Sequence, residues 1–162
     1  GRGGQEFAIH KFRTMHVQAP GERRVSVTAA GDPRITRVGR VLRCTKLDEL
    51  PQLWDVLRGQ MSLVGPRPEV PEYVAAWDPD RALVILSVRP GITDPASLAG
   101  LDEASELASV ADPDRHYRDV ILPRKEAMYV EYVRTASLRG DLRLILATLR
   151  ALLTRASPAQ TV

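Results

Sequence analysis

One cysteine, Cys44, stands alone in 162 residues. A lone thiol excludes an internal disulfide framework and a multi-cysteine metal centre, and it is compatible with a reducing compartment. Its setting, Val41-Leu42-Arg43-Cys44, suits a small buried hydrophobe rather than a nucleophile. Histidine is scarce too: His10 and His16 lack metal-ligand spacing with the cysteine or with a second histidine. Long hydrophobic runs are missing. The strongest stretches, residues 82–86 and 144–147, fall far short of the ~20 apolar residues that span a bilayer. The polar opening Gly1-Arg2-Gly3-Gly4-Gln5 has none of the features of a signal peptide. Aromatics make up only 5% of the chain, and its basic residues are dispersed, which argues against nucleic acid as a partner. The formal net charge of +3 is a modest bias toward anionic ligands.

What remains is ordinary for a folded protein. The length fits one domain, residues 1–162, large enough to bury a core. The pattern reads as an α/β (α+β) chain, predominantly helical with a small sheet.

The most informative stretch is Leu47-Asp48-Glu49-Leu50-Pro51-Gln52-Leu53-Trp54-Asp55-Val56-Leu57-Arg58-Gly59. Leu50, Leu53, Trp54 and Leu57 recur at the spacing of one helix face, and Gly59 is a natural stop. Asp48 is the expected N-cap, with Pro51 tolerated in the first turn, where the N–H it lacks would have no intrahelical acceptor. Two carboxylates, Asp48 and Glu49, would then lie at the positive end of a helix, where ionised carboxylates and phosphates are both favoured. An anionic aspartate is a usable nucleophile toward phosphorus. Because phosphates repel it, such chemistry calls for a divalent cation, and a hard oxygen ligand such as Glu49 suits Mg²⁺ or Mn²⁺.

Leu47-Asp48-Glu49-Leu50-Pro51-Gln52-Leu53, followed by Met61-Ser62-Leu63-Val64-Gly65-Pro66-Arg67-Pro68, closely resembles the signature of the bacterial sugar transferases, the monotopic phosphoglycosyl transferases. Lys11-Phe12-Arg13-Thr14-Met15 and Val88-Arg89-Pro90-Gly91-Ile92-Thr93 resemble further blocks of that family. The resemblance implies a single catalytic domain that moves a phosphosugar from a nucleotide diphosphate sugar, usually UDP-linked, to polyprenol phosphate. It implies Asp48 and Glu49 as catalytic residues, Glu49 as the metal ligand, and Arg43, Arg67, Lys11, Arg13 and Arg89 as contacts to phosphate. It also implies work at the cytoplasmic face of the bacterial inner membrane, initiating glycoconjugate or exopolysaccharide synthesis. A hydrophobic re-entrant segment would precede residue 1, so the chain is expected to be a fragment, able to self-associate through uncovered apolar surface.

There are departures from the family pattern. Residues 94–99 lack the usual glycine, aromatic and glutamine, Gln60 stands where many members have aspartate, and Tyr129 aligns with an additional acid of some members. With Tyr129 in that place, the site leans more heavily on Asp48 and Glu49. Two other readings compete: a metal-dependent nucleotide-sugar glycosyltransferase that moves the sugar without its phosphate, and a non-catalytic membrane- or partner-binding domain.

Elsewhere the pattern predicts a strand over residues 6–12, a loop over 18–32, and a helix capped by Asp32-Pro33 with Ile35, Val38 and Leu42 on one face. Pro66-Arg67-Pro68 should be stiff and extended, holding the Arg67 fork in one direction. Helices are expected after residue 72, on either side of Asp78-Pro79, over 101–110, after Asp112-Pro113 as far as Pro123, and over 124–134. A basic amphipathic helix follows over 138–155, suited either to a core or to a membrane interface. Residues 156–162 read as a frayed tail.

Overall fold

Helices carry most of the chain in the computed structural model, which describes residues 1–17, 28, 32–99 and 103–155. The tail at 156–162 and most of the 18–32 loop lie outside the described residues. In order come α1 (Arg37–Thr45), a 3₁₀ turn (Leu47–Glu49), α2 (Gln52–Leu57), β1 (Ser62–Val64), α3 (Pro71–Val74) and α4 (Pro79–Ile85). There follow β2 (Gly91–Thr93), α5 (Pro95–Leu98), α6 (Glu103–Ala108), α7 (Pro113–His116), α8 (Leu122–Thr135) and α9 (Leu138–Arg155).

The sheet is a parallel pair, β1 beside β2, with Ser62 opposite Gly91 and Val64 opposite Thr93. Two glycines permit this approach: a Cβ on Gly91 would sit 2.1 Å from the Gly65 nitrogen. Because the strands are parallel, both chains leave at the same edge. The Gly65 amide donates to the Thr93 carbonyl at 3.1 Å, so Pro66-Arg67 after β1 and Asp94 after β2 emerge side by side.

One core gathers Tyr73 and Trp77, Ile85 of α4, Ala96 of α5, Leu107 of α6, and Ile121, Leu122 and Tyr129 from the run into α8. Aspartate–proline junctions punctuate it as expected. Asp78 caps α4 through the Asp80 and Arg81 amides, and Asp112 caps α7 through the Arg115 amide. Pro123 does not end its helix; a π-helical turn (Tyr117–Ile121) runs straight into α8, which takes the proline in its first turn.

The described structure departs from the sequence pattern in several further places, and Cys44, expected to be a small buried hydrophobe, is exposed. Residues 6–12 form no strand, because their backbone donors go elsewhere: the His10 amide to the Asp55 carboxylate, the Phe12 amide to the Asp48 carbonyl. The cap of α1 is Thr36, which accepts from the Gly39 amide at 2.8 Å, whereas Asp32 accepts from the backbone and guanidinium of Arg34 in a local turn. Lastly, α2 is inverted. Its polar residues Gln52 and Asp55 are buried, while Leu50, Leu53, Trp54 and Leu57 are exposed, Leu57 at 79%. The outer face of α9, carrying Leu138, Leu142, Leu146 and Leu149, is exposed as well. No helix of the described residues is long and apolar enough to cross a membrane.

Candidate active site

The backbone around Asp48 is set by the end of α1. Lys46 ends that helix in the left-handed conformation, φ 58° and ψ 14°, the one non-glycine residue so placed among the described residues. The Glu49 amide then donates to the Lys46 carbonyl and the Leu50 amide to the Leu47 carbonyl, making a 3₁₀ turn that leads into α2. Asp48 therefore does not cap a helix with its side chain. The turn begins one residue ahead of it, and its carboxylate faces inward instead.

Both carboxylates are buried, Asp48 at 8% exposure and Glu49 at 7%. Their surroundings differ. Glu49 Oε1 accepts from Arg67 Nη2 at 2.5 Å and from Lys11 Nζ at 3.1 Å. Burial alone would raise its proton affinity, but Arg67, Lys11 and Lys46 overcome that effect and hold its carboxyl at about 2. Arg67 is shifted the other way: its own desolvation is outweighed by Glu49, with Asp94 and Tyr129 adding to the effect. Asp48 Oδ1, by contrast, is buried with no hydrogen-bond partner among the described residues. Leaving such an oxygen unmet costs on the order of 1–3 kcal/mol, so its retention needs a reason.

Of the residues singled out from sequence, Asp48, Glu49, Lys11 and Arg67 converge. Arg43 reaches a different acceptor, donating from Nε to Thr14 Oγ1 at 2.8 Å. It braces α1 against the segment that carries Lys11. Arg13 is exposed and makes no hydrogen bond or ion pair among the described residues, and exposed Arg89 lies near Gly59 rather than at Glu49. One residue was missed, and another has a more definite place than its sequence context suggested. Lys46 belongs to the charge cluster: desolvation lowers its ammonium, with Glu49 and Asp48 opposing that shift. Its position just ahead of Leu47-Asp48-Glu49 was the available signal. His10, read as structural or solvent-facing, is structural: its Nδ1 lies 2.6 Å from the wholly buried Asp55 Oδ1 while its amide donates to Oδ2 at 3.0 Å. This two-point attachment fixes the segment that delivers Lys11.

A depressed carboxyl makes a pH prediction. Glu49 is ionised in the fold down to about 2 against an ordinary 4.5, so the stability it lends is fully present above about 4.5 and is lost as pH falls toward 2. Urea unfolding at stepped pH should show wild type ahead of Glu49→Gln by on the order of 3 kcal/mol at neutral pH, the gap closing through that acid window.

Among the described residues no cluster of three or more histidine, cysteine or acidic groups forms a protein-only metal cage. The donor set is two adjacent carboxylates with one unmet oxygen. That fits a hard cation which takes the rest of its ligands from phosphate and water, the usual habit of Mg²⁺.

The family profile described as bacterial sugar transferase matches residues 1–155. A UDP-glucose:undecaprenyl-phosphate glucose-1-phosphate transferase of Caulobacter vibrioides is 41% identical over 157 residues, covering 95% of this chain and 54% of that protein. An undecaprenyl-phosphate glucose phosphotransferase of Komagataeibacter xylinus is 36% identical over 89% of this chain and 26% of its own length. A UDP-N-acetylgalactosamine-undecaprenyl-phosphate N-acetylgalactosaminephosphotransferase of Aeromonas hydrophila is 35% identical, over 95% and 34%. The chain thus spans between about a quarter and about half the length of these relatives. On the profile match, the chain belongs to the bacterial sugar transferase family.

Proposed function

We propose that this chain is the catalytic part of a phosphoglycosyl transferase that moves a phosphosugar from a UDP-sugar to polyprenol phosphate, releasing UMP and initiating exopolysaccharide or related glycoconjugate synthesis. The observation that carries the reading is the buried, unpartnered Oδ1 of Asp48 beside a Glu49 that three cations keep ionised. An oxygen with its lone pairs unengaged, on the residue next to the Glu49 that Lys11 and Arg67 grip, is suited to attack an anionic phosphorus that those cations hold.

In the first step an Asp48 oxygen bonds to the phosphorus bearing the sugar. The bond from that phosphorus to the bridging oxygen breaks, and the nucleoside monophosphate leaves with the electron pair. In the second, a phosphate oxygen of the polyprenol attacks the same phosphorus, and the Asp48 carboxylate is regenerated. Arg67 and Lys11 orient phosphate oxygens. Arg43, through Thr14, acts on the placement of the Lys11 segment, while Arg13 and Arg89 are left for outer contacts with donor or acceptor. A Mg²⁺ or Mn²⁺ ion, held by Glu49, would neutralise charge on the donor.

The acceptor is a lipid, and the exposed leucines and Trp54 of α2, with the leucine stripe of α9, support a site that works against the cytoplasmic membrane interface. Arg58 lies 5.0 Å over the Trp54 ring, a basic and aromatic pairing suited to the headgroup layer.

Intact-protein mass spectrometry tests the covalent step. The full-length protein, given Mg²⁺ and a panel of UDP-sugars without acceptor, should gain the mass of one phosphosugar and release UMP, and Asp48→Asn should gain none. Accumulation of UDP with no adduct would replace this scheme by direct glycosyl transfer.

A further inference from the structure

Asp55 is wholly buried on α2, and no step of the scheme above uses it. Both of its oxygens accept from one residue: Oδ2 from the His10 amide at 3.0 Å, Oδ1 from His10 Nδ1 at 2.6 Å. An ionised carboxylate can only accept, so Nδ1 carries the proton, and the lone pair of the neutral ring lies on Nε2. That nitrogen has no partner among the described residues, and the His10 side chain is 48% exposed where that of Asp55 is at 0%. Pinning the segment uses one ring nitrogen alone. The pairing also does what an aspartate does for a histidine base: it fixes the tautomer, aims the ring and steadies the imidazolium formed when Nε2 takes a proton.

The ring is tied to the candidate site on one side and to α2 on the other. Lys11, the next residue, reaches Glu49 Oε1 at 3.1 Å, and the Phe12 amide reaches the Asp48 carbonyl at 3.0 Å. Asp55 belongs to α2, whose opposite side carries the exposed Leu53, Trp54 and Leu57. Of the two substrates in the proposed transfer, only the acceptor brings a proton to be removed. The diphosphate of the donor is fully ionised at neutral pH, whereas a phosphate monoester, whose second ionisation falls near about pH 6, still holds a proton on part of its population. We infer that His10 is a catalytic residue of the second step, the base that acts on the acceptor's phosphate, with Asp55 the positioning residue behind it. Nε2 takes the proton from polyprenol phosphate, and the freed oxygen bonds to the phosphorus bearing the sugar. The bond from that phosphorus to Asp48 breaks, its electron pair returns to the carboxylate, and the proton passes from Nε2 to water.

This inference rests on the covalent scheme proposed above, and separating the two half-reactions tests it. Full-length protein with Mg²⁺ and the UDP-sugar that labels wild type is timed for adduct formation in the absence of acceptor. Polyprenol phosphate in detergent micelles is then added, and loss of the adduct is timed. His10→Asn keeps an N–H near the place of Nδ1, and so keeps the hold on Asp55, but has no Nε2. It should form adduct at the wild-type rate and discharge it at least about tenfold more slowly. Asp55→Asn, whose amide can donate to Nδ1 and turn the tautomer round, should slow the discharge as well. Discharge of His10→Asn at the wild-type rate would overturn the inference and leave the covalent scheme standing. So would an equal slowing of labelling and discharge, which is what a displaced Lys11 alone would produce. A wild type that no donor labels overturns the scheme itself, and the inference with it.

Discussion

Asp48→Asn abolishes transfer, lowering kcat on the order of 10⁴-fold or more, and leaves the protein as stable as wild type or more so. The two halves of this expectation have one cause. Asparagine matches aspartate in shape but cannot expel a nucleoside monophosphate, so the loss falls on the chemical step. In the resting fold the same exchange removes a buried negative charge whose Oδ1 has no hydrogen-bond donor. Buried groups that are strained or unsatisfied in the service of reactivity are held in place by the rest of the fold, and removing them relieves that burden. A merely structural Asp48 would behave in the opposite sense, losing stability with little change in rate. Thermal unfolding and initial rates measured on one preparation distinguish the two.

Much of this candidate site was legible before any fold was known, because the residues proposed for the chemistry sit in short continuous stretches. Asp48 and Glu49 are neighbours, and Arg67 lies between two prolines that narrow its backbone. Their convergence with Lys11 was legible only through the family resemblance; periodicity alone placed Lys11 on a strand that does not form. Alternation shows which residues share a face, but it does not reveal where the backbone donors will go. Here Asp55 and the Asp48 carbonyl claimed them.

The orientation of α2 was hidden for a related reason. A helix with four large apolar residues on one side normally buries that side, and in this fold it buries Gln52 and Asp55 instead. Inward-facing Asp55 has the work of holding His10, and the apolar side is left to whatever lies outside. Lys46 concealed the start of the turn that carries Asp48 and Glu49, since a lysine gives no hint that it will take a left-handed conformation more natural to glycine. Asp94 was counted as a departure from the family pattern, and its burial and its tie to Tyr129 depend on strands and helices distant in sequence.

Lys125→Ala is expected to destabilise the fold by about 3–5 kcal/mol, the range seen when one member of a buried ion pair is removed. The Lys125 side chain is only 3% exposed, and its ammonium meets Glu69 Oε1 at 2.7 Å, Tyr117 Oη at 2.9 Å and Glu103 Oε1 at 3.5 Å. Tyr117 in turn donates to Glu69 at 2.7 Å and packs against Tyr73, the ring centroids 4.7 Å apart and the planes tilted by 46°. Burial first, and then the charge of Glu69, push the Tyr117 phenol far up, so it stays protonated and offers the carboxylate a hydrogen bond but no positive charge. Without the lysine, Glu69 is left as a nearly buried anion facing a neutral hydroxyl. The damage should reach the site, because Glu69 follows Pro66-Arg67-Pro68 and anchors the far end of that stiff segment on α8. Transfer should therefore drop even below the new melting temperature. Lys125→Met combined with Glu69→Gln removes both charges, fills the space and keeps an acceptor for the Tyr117 hydroxyl. Denaturant unfolding should show that pair recovering most of what Lys125→Ala loses, and an unfolding free energy for Lys125→Ala within about 1 kcal/mol of wild type would mean that water already serves Glu69.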